Sequence, residues 1–226
     1  MNGKLYLVAT PIGNLEDITF RAVRTLKEVD LIACEDTRKS GILLKHFEIE
    51  TPKTSYHDFS KPEKVQRIIS LLEEGKSVAV ISDAGTPGIS DPAFRLVNLA
   101  LEAEVEIIPI PGACAGISAL VASGAATDKF SFEGFLPVKK GRQTRLKEVA
   151  KIEQTLIFYE SPHRILKTLK ELSEYFPNRK VTACRELTKI YEEFVRGSFE
   201  EVIEDFKKRP SIKGEFVIII DKILKK

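Results

Sequence analysis

The amino-acid sequence predicts two α/β domains, a mainly parallel N-terminal sheet followed by a mixed C-terminal sheet. Two observations carry this reading. Through the first half, short apolar runs alternate with amphipathic helical patterns, as strand–helix–strand units buried on both faces require. In the second half strands follow one another with few helices between them, which calls for antiparallel or mixed pairing. The boundary falls in the Pro111–Gly116 stretch, giving residues 1–113 and 114–226.

The elements follow in order. Strands are expected at Leu5–Ala9, Leu31–Cys34, Lys53–Tyr56, Val78–Ile81 and Val105–Ile110. Phe20, Val23 and Leu26 mark one helical face, and Phe94, Val97 and Leu101 another. The clearest helix is Glu63–Glu74, where Val65, Ile68, Ile69 and Leu72 share one face. Ser60 and Glu63 have capping-box spacing before it, and Gly75 supplies a stop. Pro109 cannot donate to a central ladder, so the fifth strand is expected at an edge or to end early. Beyond the boundary, Thr155–Tyr159, Val181–Glu186, Tyr191–Phe199 and Glu215–Asp221 read as strands, with helices at His163–Phe176 and Glu200–Lys208.

A chain of 226 residues, 43% apolar and 30% charged, can bury a real core and is not a disordered chain. Its net charge of +2 neither demands nor excludes an acidic partner. Cys34, Cys114 and Cys184 are far apart and form no CxxC pair; the histidines are equally scattered. No disulfide framework or metal site is expected, and a reduced, cytoplasmic setting is. Ile107–Thr127 is uncharged but broken by Pro109, Pro111 and Gly112, so its unbroken part is too short for a bilayer core of about 30 Å. The N-terminus has no signal-peptide pattern.

In an open parallel sheet, ligands bind beyond the carboxyl ends of the strands. Those ends carry Thr10-Pro11-Ile12-Gly13-Asn14, Glu35-Asp36-Thr37-Arg38, His57-Asp58, the eleven-residue SDAGTPGISDP from Ser82 to Pro92, and Pro111-Gly112-Ala113-Cys114. In the second domain Thr155–Tyr159 ends at Glu160-Ser161-Pro162-His163-Arg164. Asp91-Pro92 and Ser161-Pro162 look like N-caps followed by proline at the first helical position. Any one such loop is ordinary connecting structure; several at one end of one sheet, facing a second domain, suggest a glycine-lined cleft. Neither GxGxxG after the first strand nor GxxxxGK[ST] occurs, which argues against a dinucleotide or P-loop site. The glycine loops themselves lack basic residues, which argues against a polyphosphate. A ligand with an adenine edge, a carboxylate and a cationic centre would suit them, and S-adenosylmethionine is such a molecule.

LYLVATPIGNLEDIT, DLIACEDTR, SDAGTPGISDP, IPGACAGISAL, FEGFLP, FYESPHR, CRELTK and KGEFV occur in this order through nearly the whole chain. Together they resemble the ribosomal RNA small-subunit methyltransferase I family, within the tetrapyrrole methylase superfamily. The resemblance implies a two-domain α/β homodimer with S-adenosylmethionine in the cleft between domains. It implies methylation of the 2′-hydroxyl of a cytidine in the decoding region of 16S rRNA, and 16S rRNA or the small ribosomal subunit as partner.

By the same motif match, Asp83, Gly85, Thr86, Pro87, Gly88, Ile89, Pro111, Gly112, Ala113 and Cys114 would line the cofactor site. Phe158, Tyr159 and Glu160 would approach it from the second domain, with Arg185, Gly214 and Glu215. Thr10, Pro11, Gly13 and Asn14 would face the RNA. Lys139, Lys140, Arg142, Arg145 and Lys147 form a basic run for phosphates, and Lys207, Lys208, Arg209 and Lys213 form another. Asp36 and Glu35 are candidate general bases, with Arg38 orienting ribose or phosphate; Glu160 and His163 are the second choice. Phe59-Ser60 stand where the family often has His-Asn, which weakens any catalytic claim for His57. Members often continue past KGEFVIIID with a helical tail, so here the two-domain core is expected to grip the RNA. The competing readings are a tetrapyrrole-precursor methylase of the same superfamily and a noncatalytic ribosome-assembly factor.

Overall fold

The computed structural model describes residues 2–57, 60–91 and 93–223. The chain divides into two compact units, Met1–Cys114 and Ala115–Lys226. The first holds five parallel strands, β1 (Lys4–Val8), β2 (Leu31–Cys34), β3 (Lys53–Ser55), β4 (Val78–Ile81) and β5 (Glu106–Ile110), in the order β3-β2-β4-β1-β5. Its helices are α1 (Phe20–Glu28), α2 (Thr37–His46), α3 (Pro62–Glu73) and α4 (Ala93–Glu102).

Strand alternation explains the layers. Leu5, Ala33, Val78 and Val80 pack on one face with Val65, Ile68 and Leu72 of α3 and Leu96 of α4. Val8, Ile32, Cys34, Ala79 and Ile81 point the other way, against Ala22 and Leu26 of α1 and Leu44 of α2. Both faces are therefore covered, as near-continuous apolar strands demand. Pro109 lies in the edge strand β5, as its missing N–H requires.

The second unit adds α5 (Ala115–Ser123), β6 (Phe130–Phe135), α6 (Arg142–Val149), β7 (Thr155–Glu160), α7 (Ile165–Tyr175), β8 (Val181–Arg185), β9 (Glu193–Gly197), α8 (Phe199–Lys207) and β10 (Phe216–Ile220). The sheet order is β6-β7-β10-β8-β9; β6 and β7 run parallel and the other pairs antiparallel. Leu146, Leu169, Leu172, Val202 and Phe206 from α6, α7 and α8 close over Leu156, Phe158, Ala183 and Ile218. Helix α5 lies on the opposite face, where Ile157 Cγ2 comes within 3.4 Å of where a Cβ on Gly116 would sit. Among the described residues no helix is long and apolar enough to cross a membrane.

Several local expectations are corrected. Helix α3 starts at Pro62 with Lys61 as N-cap and no side-chain cap; Ser60 Oγ instead accepts from the His57 N–H at 2.8 Å. Ser161 begins a turn, its carbonyl accepting from the Arg164 and Ile165 N–H groups, and Arg164 is the N-cap of α7. The strand expected over Tyr191–Phe199 stops at Gly197, because Ser198 and Glu201 form a reciprocal capping box that starts α8. Asp91 Oδ1 accepts from the Ala93 N–H at 3.0 Å, as a cap would, while Asp58 and Pro92 lie outside the described residues.

Candidate active site

The order β3-β2-β4-β1-β5 fixes where a site can form. The chain leaves β2 toward β3 and leaves β4 the other way, toward β5, so connections diverge beyond the carboxyl ends of β2 and β4. Such a divergence opens a crevice in a doubly wound sheet. Glu35-Asp36-Thr37-Arg38-Lys39 forms one lip and Ser82–Ile89 the other.

One carboxylate joins the lips. Asp83 Oδ1 accepts from the Asp36 N–H at 3.0 Å, and Asp83 Oδ2 receives Lys39 Nζ at 2.7 Å. Glu35 sits half-buried beside this pair. Burial first, and then the Asp83 charge, push its carboxyl above the ordinary glutamate range. Asp36 has the opposite environment. It is the N-cap of α2, its Oδ1 accepting from the Arg38 N–H at 2.8 Å, and the Arg38 guanidinium grips it at 3.1 and 2.8 Å. Those bonds hold Asp36 far below the carboxylate range, which makes it a poor proton acceptor. Of the two, Glu35 is the better base.

Two further loops are stitched to the Ser82–Ile89 lip as a rim. Thr10 and Gly85 exchange backbone hydrogen bonds at 2.9 and 3.0 Å, and Thr86 Oγ1 donates to the Ala113 carbonyl at 3.0 Å. Gly112 lies so close to β1 that a Cβ there would stand 2.8 Å from the Ala9 Cβ. Gly85 has φ +81, a left-handed conformation that glycine adopts without strain. Gly88, Ile89, Pro111 and Gly112 are exposed on this rim, Thr86, Ala113 and Cys114 are half-buried, and Gly85 and Pro87 are buried. Cys34 and Cys184 are core residues; burial raises both thiols, Cys184 to about 12, which excludes them as thiolate nucleophiles at neutral pH.

The structure moves other candidates away from chemistry. Thr10 is 2% exposed and tied to Gly85, and Pro11 is buried, so neither presents a face to RNA. Asn14 caps a short 3-10 helix, Leu15–Asp17, while Gly13 stays exposed. Phe158 is fully buried in the core with Leu169, Leu172 and Phe206; its neighbour Tyr159 points to the other face, where its hydroxyl accepts from the Gly116 N–H. Glu160 is equally buried, saturated by Arg164 at 2.6 Å, Thr168 Oγ1 at 2.6 Å and the Ser161 N–H at 2.7 Å. A carboxylate with those partners holds structure together.

Arg142 is 4% exposed and bonded to Glu171, Thr168 and the Pro137 carbonyl, so it leaves the basic surface. Arg145 is paired with Glu133 and Glu148. Lys139 and Lys140 remain exposed. In the second basic run Arg209 is held by Asp205 and Glu193. Arg185 donates to the Lys213 carbonyl and pairs with Glu193, while Glu215 takes Lys189. Gly214 has φ +97, and a Cβ there would collide with Glu186. Among the described residues no cluster of His, Cys, Asp or Glu could hold a metal ion.

This geometry can be set beside known proteins. Residues 4–203 match the Tetrapyrrole (Corrin/Porphyrin) Methylases family model. The chain is 53% identical over 220 residues to the Ribosomal RNA small subunit methyltransferase I of Halalkalibacterium halodurans, covering 97% of this chain and 76% of that protein. The chain belongs to the ribosomal RNA small subunit methyltransferase I family. A family member from Synechocystis sp. is also 53% identical, covering 96% of this chain and 78% of its own. The Hydrogenobaculum sp. member, 49% identical, covers 97% of this chain and 96% of its own. Uroporphyrin-III C-methyl transferase from Thermus thermophilus, solved with S-adenyl homocysteine, superposes with a TM-score of 0.67 at 20% identity, covering 96% of this chain and 97% of that one. At that identity the likeness speaks for fold alone.

The family motifs thus sort into two groups. DLIACEDTR, SDAGTPGISDP and IPGACAG build the crevice and rim, whereas the Glu of FYESPHR builds a buried support. Lys39 and Thr168 had no signal of their own. Each acquires its role from a partner that the fold brings to it, Asp83 for Lys39 and Glu160 for Thr168.

Proposed function

We propose that this chain transfers the methyl group of S-adenosylmethionine to the 2′-hydroxyl of a cytidine in 16S ribosomal RNA, as a cytoplasmic homodimer. The observation that carries the reading is identity of 48–53%, over nearly all of the chain, to proteins named Ribosomal RNA small subunit methyltransferase I. A tetrapyrrole substrate has in its favour the match to the Tetrapyrrole (Corrin/Porphyrin) Methylases family model and likeness of fold, neither of which specifies the substrate.

The residues fit the cofactor. Gly88 has φ +90 with nothing within 4 Å of where a Cβ would sit, and Pro111 and Gly112 are exposed beside it, so this part of the rim lets a ligand approach the backbone closely. When bound, S-adenosylmethionine supplies an electrophilic methyl group on a sulfonium. The rim from Asp83 to Ile89 and from Pro111 to Cys114 would hold it. Glu35 accepts the ribose hydroxyl proton at its carboxylate, a contribution of roughly 10²–10⁴-fold for a positioned base. Asp83 and Lys39 fix the lip on which Glu35 sits. Lys139 and Lys140 take RNA phosphates.

The test is transfer of labelled methyl from S-adenosylmethionine to small ribosomal subunits, naked 16S rRNA and a uroporphyrinogen-type tetrapyrrole. Label recovered as 2′-O-methylcytidine is the expected result. Label in the tetrapyrrole, or none in any acceptor despite calorimetric cofactor binding, would overturn the reading.

A further inference from the structure

The buried carboxylate of Glu160 supports a loop. Its Oε1 pairs with Arg164 at 2.6 Å, and Arg164 Nη1 donates to the Leu136 carbonyl at 3.3 Å. Its Oε2 accepts from Thr168 Oγ1 at 2.6 Å; that hydroxyl accepts from Arg142 Nη2 at 2.7 Å, and Arg142 Nη1 donates to the Pro137 carbonyl at 3.0 Å. Two guanidiniums therefore clamp consecutive carbonyls at the base of the β6–α6 connection, Arg164 held by Glu160 and Arg142 held by Glu171 and, through Thr168, by Glu160. Leu136, 3% exposed, pins the same base into the core.

Above that clamp the loop is open. Phe135 is 53% exposed and Val138 66% exposed, and Lys139 and Lys140 follow at the tip. The Phe135 ring is braced edge-on by Tyr159, its partner in the β6–β7 register, with centroids 5.6 Å apart. Nearby Glu133 is paired with Arg145 and nearly buried, so it does not oppose a phosphate at the tip. An exposed, braced aromatic ring followed by two free lysines matches the chemistry of an unstacked nucleobase and its flanking phosphates.

We propose that Phe135–Lys140 is a preorganised grip for single-stranded RNA. Phe135 stacks on an unpaired base, Lys139 and Lys140 contact phosphates, and Glu160 is the positioning residue that keeps the loop in shape through Arg164 and Arg142. This rests on the RNA-methyltransferase reading and names how its substrate is held.

The full chain is tested with small ribosomal subunits in methyl transfer and with a short fluorescent RNA oligonucleotide, single-stranded or annealed to its complement, in direct binding. Phe135→Ala should raise the KM for subunits and the Kd for the single strand by roughly 5- to 150-fold, the range for loss of one stacked base, with kcat and cofactor affinity unchanged. Phe135→Tyr should restore both. The Lys139→Ala, Lys140→Ala double variant should reduce the log–log salt slope by about 1.4 for a single strand. Thr168→Val, which cuts the link from Glu160 to Arg142 while keeping side-chain shape, should raise KM without touching kcat. Unchanged RNA binding in Phe135→Ala would overturn the grip, as would equal loss on duplex and single strand. A Phe135→Ala defect that tracks a change in sedimentation would also overturn it, assigning the ring to a protein contact. Binding through Phe135 without methyl transfer by the wild type would overturn the enzymatic reading and leave the grip standing.

Discussion

Glu35 and Asp36 are adjacent carboxylates with opposite surroundings, and the difference sorts their roles. Glu35 is half-buried beside Asp83, so its folded pKa lies above the ordinary value of 4.5. The folded chain then holds that proton more tightly than the unfolded chain does. Its stabilising effect is full below the ordinary glutamate pKa and is lost as pH rises through the raised folded value. Glu35→Gln removes that loss. The variant should melt slightly above wild type at neutral pH, with the gap closing near about pH 4. Its single-turnover methyl transfer should fall by roughly 10²-fold or more, and the acidic limb of the rate profile should disappear. Asp36→Ala should instead lower the melting temperature through the lost N-cap, with little effect on the chemical rate. A wild-type rate in Glu35→Gln would end its candidacy as the base.

Among the elements, Arg179 joins more strand ends than any packing residue could. It is 7% exposed and follows α7. Its guanidinium donates to carbonyls of Ile152 and Gln154 before β7 and of Ile220 and Asp221 at the end of β10. Burial lowers its pKa to about 10, so the charge persists at neutral pH. Arg179→Met keeps much of the apolar stem and leaves four carbonyls short of a donor. We expect a loss of about 1–3 kcal/mol in urea unfolding, because water can reach three of the four half-buried to buried acceptors left without the guanidinium. A loss below 1 kcal/mol would mean that water replaces the guanidinium.

The same elements explain what the sequence could reveal. Strands β2 and β4 were legible because burial on both faces leaves unbroken apolar runs, and α3 because four apolar residues share one stripe. Helix α5 was hidden: AGISALVAS has small residues on all sides and no polar face to set a period. Strand β6 was hidden by the register shift between Phe132 and Gly134, which breaks period-two alternation. The rim was legible from glycine and proline at strand ends. The environments of Glu35 and Glu160 were not, because each depends on contacts made in space, with Asp83 and Thr168.

At the scale of the whole chain, each sheet is drawn from one contiguous stretch, the first complete by Ile110. The second sheet is centred on β10, which separates β7 from β8. Deleting Phe216–Ile220 and everything after it should therefore unfold the second unit and spare the first. Limited proteolysis should then leave a protected fragment ending near Cys114, and uniform digestion would contradict the independence of the two cores.

That strand order also has a consequence during synthesis. A ribosome releases the chain from its N-terminus, so the first sheet can close while the second is still incomplete. β7 and β8 emerge with no neighbour for the sides that β10 will occupy, and they carry Leu156, Ile157 and Phe158 in one and Val181, Ala183 and Cys184 in the other. Until Phe216–Ile220 clears the exit tunnel, those edges are exposed to other nascent chains. The interval between translation of Arg185 and of Ile220 is thus the period of greatest exposure to misassembly for this protein, and slowing translation there should raise its dependence on chaperones.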